Sequence, residues 1–486
     1  MIFQKYIGFL QPMFINRNFS PKELSMRVTH FLLVAAMFTC APAYAEEAFD
    51  NDTLLAKASE LLSESGYEAH SLDIDDSGTL KAVRLKRNLD DDTILTIKNA
   101  EWKNFRIEDG KALTDGVSAS GLRLESEDDE GTLSIKNFEM PYAEEFPGAF
   151  AEKTDNLNNK EYPEPIIATG IRYTDDDQNL VDAARVTLVT KDGLNKLGIE
   201  DMRCIISEED VDFTLGKLSI GIENAPMQAF SEVSSSPSAE LTSSIGTFEV
   251  VLNGFVYNGS IPDLPPFKIL ADSLMIRQKA LTDENQTWNP EFRLTGLSVP
   301  AAAYDAFEEL GGPVIAQLRQ HLPEGIKLDL GASLGICPKD RPGKLDLDAR
   351  IHNVADLDAH AVILTDVDKL PSEYTEFAPL FTEHLLFKNA EATLVDHGLV
   401  KIGASIAGVL MESSPQELLQ MAGGMVTSML PESISQAVST MLSRPGKLSF
   451  HAEAEPPVLF VRIPDSLSDG TLKYGADTEQ GDELSF

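Results

Sequence analysis

The feature that most constrains the fold is an alternation of apolar and polar residues, which recurs in short runs along most of the chain. Between residues 80 and 222 these runs are separated by acidic turns, such as the Glu-Asp-Asp-Glu-Gly turn at 127–131. Alternation with a period of two is typical of strands with one buried face, and short turns join such strands into hairpins. The pattern predicts an antiparallel β-meander rather than a series of βαβ units.

The second half of the chain adds helices to this strand pattern. Helical spacing of apolar residues and capping signals predict helices over 301–310, 313–322, 372–386, 398–410, 414–430 and 432–442. Strands are expected over 326–334, 344–351, 357–364, 448–454 and 458–463. The fold class predicted is α+β and β-dominated, with an antiparallel meander in the N-terminal half. An antiparallel sheet with a helical insert is expected in the C-terminal half.

Composition shifts divide the chain into segments. We expect an N-terminal extension with a signal peptide over 1–45, and then a β-meander domain over 46–230 that begins with a short helix at 51–65. A serine-rich stretch at 231–245 predicts a linker. The segment 246–465 is expected to hold the second sheet and its helices, followed by an acidic tail at 466–486.

Residues 26–45 have the pattern of a cleavable secretory signal. Arg27 precedes an apolar core at 31–38, and Ala43 and Ala45 form the small-x-small pattern of a cleavage site. The pattern predicts export to the periplasm, with Met26 as the start and 1–25 as an over-extended reading frame. The later chain has no apolar run of membrane-spanning length, so no transmembrane helix is expected.

Net charge and cysteine content narrow the function further. The chain carries a formal charge of −38 at pH 7, which repels phosphate backbones and excludes nucleic acid as a main partner.

After cleavage only two cysteines remain, Cys204 and Cys337. In an oxidising compartment they could form a disulfide or stay as two separate thiols, and the sequence leaves both alternatives open.

One motif suggests a hydrolase. Gly331-Ala332-Ser333-Leu334-Gly335 matches the G-x-S-x-G pattern of a nucleophile elbow, which needs a helix directly after the serine. Here a turn into another strand follows, so we interpret Ser333 as part of a β-hairpin and expect no catalytic residue.

A second motif suggests calcium. Asp73, Asp75 and Ser77 have the spacing that opens a calcium-binding loop, but position 12 of the loop, where a carboxylate should close the site, is Arg84. An acidic hairpin turn is therefore the preferred interpretation. His352 and His360 flank a predicted turn without a third ligand, and we expect no metal site and no cofactor there.

The helices over 414–442 are rich in methionine and leucine, and two interpretations stay open. They could cover the second sheet as core, or they could form an adaptable lid over an apolar groove, since methionine packs against varied partners. The residues expected to line such a groove are Leu418, Met421, Met425, Met429, Val438 and Met441.

Short sequences recur within the chain. The nine residues 341–349 begin Arg-Pro-Gly-Lys-Leu and recur at 444–452 with apolar residues in the same phase, and Lys98-Asn99-Ala100-Glu101 recurs at 388–391. The first pair predicts similar hairpin starts in one sheet. Convergent turn chemistry and true duplication both remain alternatives.

These features together resemble envelope proteins of Gram-negative bacteria of the AsmA type and related periplasmic families. The resemblance is carried by the signal peptide, the acidic β-meander and the strand–helices–strand section at 387–463, within which 389–399 and 444–448 are most similar. It implies a curved sheet that holds acyl chains and a role in envelope lipid homeostasis. The chain departs from these families in having no N-terminal membrane anchor.

The function predicted is that of a non-enzymatic periplasmic protein that binds lipid or another envelope component through an apolar sheet face and a helical lid. The alternatives are a structural or interaction module without ligand and, less favoured, a hydrolase. The sequence does not indicate the oligomeric state.

Overall fold

The computed structural model describes residues 50–89, 93–108, 111–126, 131–141, 144–146, 162–191, 194–207, 211–223, 247–259, 266–279, 281, 287–339, 341–371, 379–463, 465–466, 470–482 and 484. The predicted signal with Ala43 and Ala45, and the predicted linker at 231–245, lie outside these residues. Within them the chain is β-dominated and antiparallel, with helices in its C-terminal part, which confirms the predicted fold class.

The chain divides into two compact units. Unit 1 comprises Met1–Ile171, Thr187–Asn195 and Asn224–Thr242, and unit 2 comprises Arg172–Val186, Lys196–Glu223 and Ser243–Phe486. Strands β9 (Tyr162–Asp175), β10 (Leu180–Lys191) and β11 (Leu194–Ile206) contribute residues to both units.

The described part of unit 1 begins with helix α1 (Asn51–Glu64), where a helix was predicted, and Asp50 caps it by accepting a hydrogen bond from the Thr53 backbone N–H. Its main sheet has the order β1-β2-β3-β6-β7, and the bounds are Tyr67–Ile74, Leu80–Asn88, Thr93–Lys103, Gly116–Ser126 and Gly131–Met140. A small second sheet consists of β4 (Arg106–Glu108), β5 (Lys111–Thr114) and β8 (Glu144–Glu145).

Unit 2 contains a meander of ten strands in which each strand pairs with the next one along the chain. The strands β12 to β21 span Val211–Glu223, Phe248–Gly259, Phe267–Gln278, Glu291–Pro300, Gly325–Gly335, Gly343–Ile351, Ala355–Thr365, Leu385–Asp396, Lys447–Leu459 and Leu472–Glu479. The recurring Arg-Pro-Gly-Lys segments precede or begin β17 and β20, which belong to one sheet. The predicted similarity of the two hairpin starts is wrong, because the first segment lies in the turn between β16 and β17 whereas the second follows a helix that ends at Ser443.

The described residues of unit 2 include four helices: α2 (Ala303–His321), α3 (Leu399–Met411), α4 (Pro415–Met429) and α5 (Glu432–Ser443). Helix α2 packs against β15, β16 and α3; α4 packs between α3 and α5; and α5 packs against β20 and β21. The predicted capping box of α4 is present, since Ser414 and Glu417 each accept a hydrogen bond from the other's backbone N–H.

Three predicted boundaries are wrong. Helix α2 runs through Gly311, Gly312 and Pro313 without a break, because packing at its two ends, by Tyr304 and Leu318, offsets the hydrogen bond that proline removes. The described part of the predicted helix 372–386 is a single π-helical turn, Leu380–His384, after which β19 begins. The predicted strands 448–454 and 458–463 are one strand, β20, followed by a 3-10 turn at Phe460–Arg462.

The predicted acidic tail at 466–486 is also wrong in part, because β21 lies within it. Leu472 is buried in a cluster with Phe387, Ala452 and Ala454, and this apolar contact anchors the strand beside β20.

Strands in both units contain residues with positive φ. Gly121 and Gly296 have φ of +62° and +65°, and a bend of this kind alters which face the following side chains occupy. The Lys-Asn residues that begin the repeated Lys-Asn-Ala-Glu sequence lie at such irregular positions of the sheet. Asn99, whose side-chain amide donates to Ser120 Oγ at 3.1 Å, lies opposite the strand that contains Gly121. In the second copy, Asn389 lies at a register shift between β19 and β20.

Candidate apolar binding face

Two rows of apolar side chains cross the whole ten-strand meander of unit 2. Residues directly opposite each other in an antiparallel sheet share a face, so the strand register identifies both rows. The first row consists of Ile220, Val250, Ile276, Phe292, Ala332, Leu347, Ala359, Ala392, Phe450 and Ala476. The second consists of Leu218, Leu252, Leu274, Leu294, Leu330, Ala349, Leu357, Leu394, Leu448 and Thr478. We call the two rows together the apolar strip.

The local sequence explains why the strip is apolar. In β17 the residues alternate as Leu345-Asp346-Leu347-Asp348-Ala349, and neighbouring strands alternate in the same phase. The polar members of these strands therefore share the opposite face. Cross-strand ion pairs form there, such as the pair between Arg277 and Glu291.

The strip is only half covered. None of its twenty residues is fully buried, and Leu347 and Leu357 each expose more than a third of their surface. An apolar surface of this size that remains in contact with water is uncommon in a soluble protein and is typical of an interaction site or a ligand groove.

Two buried clusters lie beside the strip. One is formed by Ile336, Ile363, Leu370, Leu380 and Leu385, with Leu334 packed against it. The other is formed by Leu322, Val354, Ala355 and Ile402, with Leu394 of the strip packed against it. The strip therefore continues into packed core at Leu394, while Leu347 and Leu357 remain open.

The length of the strip follows from the spacing of strands. Neighbouring strands lie about 4.8 Å apart, so ten strands give a strip about 43 Å long. An acyl chain in one leaflet of a bilayer spans about 15 Å, half of the hydrocarbon thickness. The strip is long enough for two or more acyl chains placed end to end across the strands.

The chemistry of the strip is that of hydrocarbon. Apart from Thr478 at its end, its side chains carry no hydrogen-bonding or charged group, so it gains free energy only by removing apolar surface from water. A sheet face offers no free backbone N–H or C=O groups, because these are used between strands. A peptide would therefore leave its own backbone polar groups unsatisfied on this surface.

The residues predicted to line a groove under helices α4 and α5 do not form one surface. Leu418 and Met441 are buried and Val438 is half-buried, whereas Met421 and Met425 are exposed. The side chain of Met429 lies outside the described residues. The predicted groove location is wrong for Met421 and Met425, because α4 packs between α3 and α5 and turns these two methionines toward solvent.

The predicted calcium motif forms a self-contained turn. The carboxylate of Asp75 accepts hydrogen bonds from Ser77 and from the Thr79 backbone N–H at 3.1 Å, and forms an ion pair with Lys81 at 2.8 Å. These donors, Lys81 first, hold the pKa of Asp75 below its ordinary value. Asp73 lies in β1 directly opposite Lys81. The ammonium group takes the place that a cation would need, so the turn is structural.

Ser333 lies within β16, and its hydroxyl donates to Asp346 Oδ2 at 3.3 Å. The other oxygen of Asp346 lies 2.7 Å from His360 Nδ1. The carboxylate thus stands between the hydroxyl and the imidazole. A nucleophilic serine needs the imidazole beside its hydroxyl, so this arrangement does not provide the general base of a hydrolase.

The two histidines that the sequence places beside a turn each pair with a different carboxylate. His352 Nε2 lies 3.1 Å from Asp329 Oδ2, and His360 pairs with Asp346 as described. Among the described residues no group of three or more histidine, cysteine, aspartate or glutamate side chains has the arrangement of a metal site.

Both cysteines of the predicted mature chain are free thiols, so of the two alternatives, a disulfide or two separate thiols, the structure has the separate thiols. Cys204 is buried, and burial raises the pKa of its thiol to about 11. Cys337 is half-buried, and its Sγ lies 3.5 Å from Thr287 Oγ1. A thiol with a raised pKa is a poor nucleophile at neutral pH, so Cys204 acts as a core residue.

Within the described part of the chain, no helix is both long enough and apolar enough to cross a membrane. No protein-family model matches the chain, and no curated protein sequence matches it either. The sequence predicted an apolar sheet face but not the residues of the apolar strip. The signal that could have found it is the repetition of Leu-x-Leu or Leu-x-Ala in successive strands, but the rows become visible only with the strand register.

Proposed function

We propose that this protein is a non-enzymatic lipid-binding protein of the cell envelope, which holds acyl chains along the apolar strip of unit 2. The observation that carries the proposal is the strip itself: two rows across ten strands, apolar except for Thr478 at one end and half open to water. The signal-peptide pattern at 26–45 supports an envelope location, where lipid is the abundant apolar ligand.

Acyl chains fit the strip better than a compact ligand does. A site for a compact ligand is usually a concave pocket with a few polar groups that fix its orientation. The strip is instead long, and its apolar character is uniform. Such a surface favours a ligand with a long hydrocarbon part and tolerates variation in chain length.

A structural module without ligand is the second candidate. The packing of α2 and α5 against the sheet of unit 2 favours it, since these helices already cover part of the strands. Under this alternative the strip would serve only as the outer layer of the core, and addition of lipid would change nothing.

The experiment compares two leucines of nearly equal exposure, one within the apolar strip and one outside it. Leu347 is 40% exposed and belongs to the strip, whereas Leu270 is 39% exposed, belongs to neither row of the strip and lies between the buried residues Ile269 and Ala271. Each is replaced by aspartate, and binding of a fluorescent hexadecanoic acid is titrated with the full chain. An aspartate in the strip puts an unpaired charge against hydrocarbon, so Leu347→Asp should weaken binding by about tenfold or more.

Leu270→Asp should bind the probe as the wild type does. Native mass spectrometry of protein purified from its own cells should show co-purifying lipid in the wild type and in Leu270→Asp, but not in Leu347→Asp. Absence of probe binding by the wild type, or equal loss in both variants, would contradict acyl binding on this face and favour the structural module.

A further inference from the structure

We propose that the hairpin of helices α3 and α4 docks onto the surface of a lipid bilayer with neutral head groups. The contact is made by Leu410, Met411, Met421, Met425 and Leu430, which we call the docking patch. The proposal adds to the lipid-binding function by naming where lipid is taken up or delivered. This role in uptake or delivery rests on the proposed lipid-binding function. Docking itself concerns residues outside the apolar strip.

Exposure sets the docking patch apart. Among the described residues, Leu410, Met425, Met411 and Met421 are the four most exposed large apolar side chains, at 67%, 61%, 60% and 55%. Single exposed apolar residues are normal on protein surfaces, but a group confined to two packed helices indicates an interaction site.

The geometry of the hairpin holds these side chains outward. In helix α3 the buried residues are Ile402, Ala404, Ser405 and Gly408, whereas Leu410 and Met411 at its end are exposed. A Cβ on Gly408 would lie 2.9 Å from the Ser413 carbonyl oxygen, so glycine permits the tight corner between α3 and α4. Met421 and Met425 are one turn apart on the same exposed face of α4.

The composition of the segment favours a bilayer over a protein partner. Between Lys401 and Arg444 the chain has no lysine or arginine, and residues 399–443 contain no aromatic side chain. The residues that contribute most to binding energy in protein interfaces are enriched in tryptophan, tyrosine and arginine, and this surface has none of them. A bilayer needs no shape complementarity and accepts flexible methionine and leucine side chains.

Charge also selects the kind of bilayer. Glu412, Glu417 and Glu432 lie in or beside the hairpin, and the whole chain carries −38. Basic residues normally bring an interfacial helix to anionic lipid, but here the electrostatic force is repulsive. Docking therefore depends on apolar insertion into neutral lipid, and added anionic lipid should weaken it.

The hairpin is continuous with the proposed lipid-binding surface. On its inward side, Ile402 and Ile406 of α3 pack in the same apolar cluster as Leu394, which belongs to the strip. A lipid leaving the bilayer at the docking patch would thus have apolar side chains on its way to the strip.

Vesicle flotation with the full chain tests the proposal. The wild type should float with phosphatidylcholine vesicles, and should float less when a third of the lipid is phosphatidylglycerol. The double variant Met421→Asp/Met425→Asp should partition about tenfold or more weaker, since two insertion points become charged. Because both side chains are exposed, its melting temperature should stay near that of the wild type.

A matched control is Val461→Asp, in which the replaced side chain is 54% exposed but belongs to the turn after β20 and not to the hairpin. It should float as the wild type does. A wild type that does not float, or equal flotation of the wild type and the double variant, would overturn docking. Docking would also be overturned if sedimentation velocity showed a wild-type dimer that the double variant breaks, because the patch would then join two copies.

The Leu347→Asp variant separates this proposal from the lipid-binding one. It should lose the fluorescent acyl probe but still float with vesicles. A wild type that binds the probe without floating would overturn docking alone, whereas one that floats without binding the probe would overturn acyl binding and leave docking supported.

Discussion

Unit 1 and unit 2 use the same antiparallel strand pattern but treat the apolar face of their sheets differently. In unit 1 most side chains of this face are buried, among them Leu80, Ile97 and Trp102. In unit 2 the corresponding side chains form a strip whose members all retain contact with water. An apolar sheet face is therefore largely covered in unit 1, and the open strip is a property of unit 2.

The difference comes from the elements that cover each sheet. In unit 1, α1 packs against β1 and turns Leu54, Ala58 and Leu62 inward. The small β4-β5-β8 sheet and the segment after it add aromatic contacts, since the ring of Phe146 lies 5.1 Å from Trp102 and 4.8 Å from Phe105. In unit 2 the helices pack against β15, β16, β20 and β21, and the central leucines stay open.

Replacing leucine by alanine in each sheet should give the largest difference between the units in the free energy of unfolding. Leu80→Ala removes a fully buried side chain from unit 1 and should lower the free energy of unfolding by about 3 kcal/mol. Leu357→Ala removes a side chain that is partly in water, and should cost less than about 1 kcal/mol. Equal losses would show that the strip is as tightly packed as the core of unit 1.

The two tryptophans of the chain allow each unit to be followed separately. Trp102 lies in unit 1 and Trp288 in unit 2, so single-tryptophan variants report on one unit each during urea unfolding. One common transition in both variants would mean that the units unfold together, and the comparison would then need hydrogen exchange to resolve individual strands.

Acyl ligand should stabilise unit 2 alone. A ligand that binds only the folded state at a hundred times its dissociation constant adds about 2.7 kcal/mol to the free energy of unfolding. We expect this gain in the transition reported by Trp288, with the transition reported by Trp102 unchanged. The Leu347→Asp variant is the control and should show no gain in either transition.

The sequence predicts the strands better than the surface that they form. Helix α1, the capping box at Ser414 and the class of the fold all follow from local patterns, because spacing and capping act over a few residues. The apolar strip depends on which residue faces which across ten strands. Register is a long-range property, and a shift of one residue would move every side chain to the other face.

Two errors show how tertiary contacts override local signals. Gly311, Gly312 and Pro313 together indicate a helix break, yet α2 continues because its ends are packed. Met421 and Met425 have the spacing of a buried helix face, yet they are exposed because α4 packs between α3 and α5. Spacing identifies a helix face but does not identify what lies against it.

The bends that the two sheets share should respond equally to mutation. Gly121 in unit 1 and Gly296 in unit 2 have positive φ, and a Cβ at Gly121 would lie 2.9 Å from the Cβ of Lys98. Alanine at either position should cost about 1–2 kcal/mol in left-handed strain, with further loss from the contact. Urea unfolding of Gly121→Ala and Gly296→Ala checks this. A loss of unfolding free energy in only one of the two variants would show that only that unit needs glycine at its bend.

Mild acid should have the smallest effect and should act on unit 2 first. His321 of α2 lies 3.2 Å from Ser405 Oγ of α3, and burial, followed by the charge of Lys401, lowers the pKa of its imidazole. The unfolded chain, with a histidine pKa of about 6.5, then binds more protons than the folded one. This contribution to stability is complete above that value and is lost as the pH falls through the folded-state pKa.

In unit 1 the group to compare is Asp75, whose carboxylate is protonated only at a lower pH than the histidine. The pKa of Asp75 is held below its ordinary value, first by Lys81, so its contribution is complete above about pH 4 and is lost only below that. Between pH 7 and about pH 5, the urea midpoint reported by Trp288 should therefore fall while the midpoint reported by Trp102 stays constant. His321→Gln keeps a hydrogen-bonding side chain that does not titrate, and should reduce the slope in unit 2. An unchanged slope in this variant would assign the acid sensitivity to other groups and remove the α2–α3 contact as its cause.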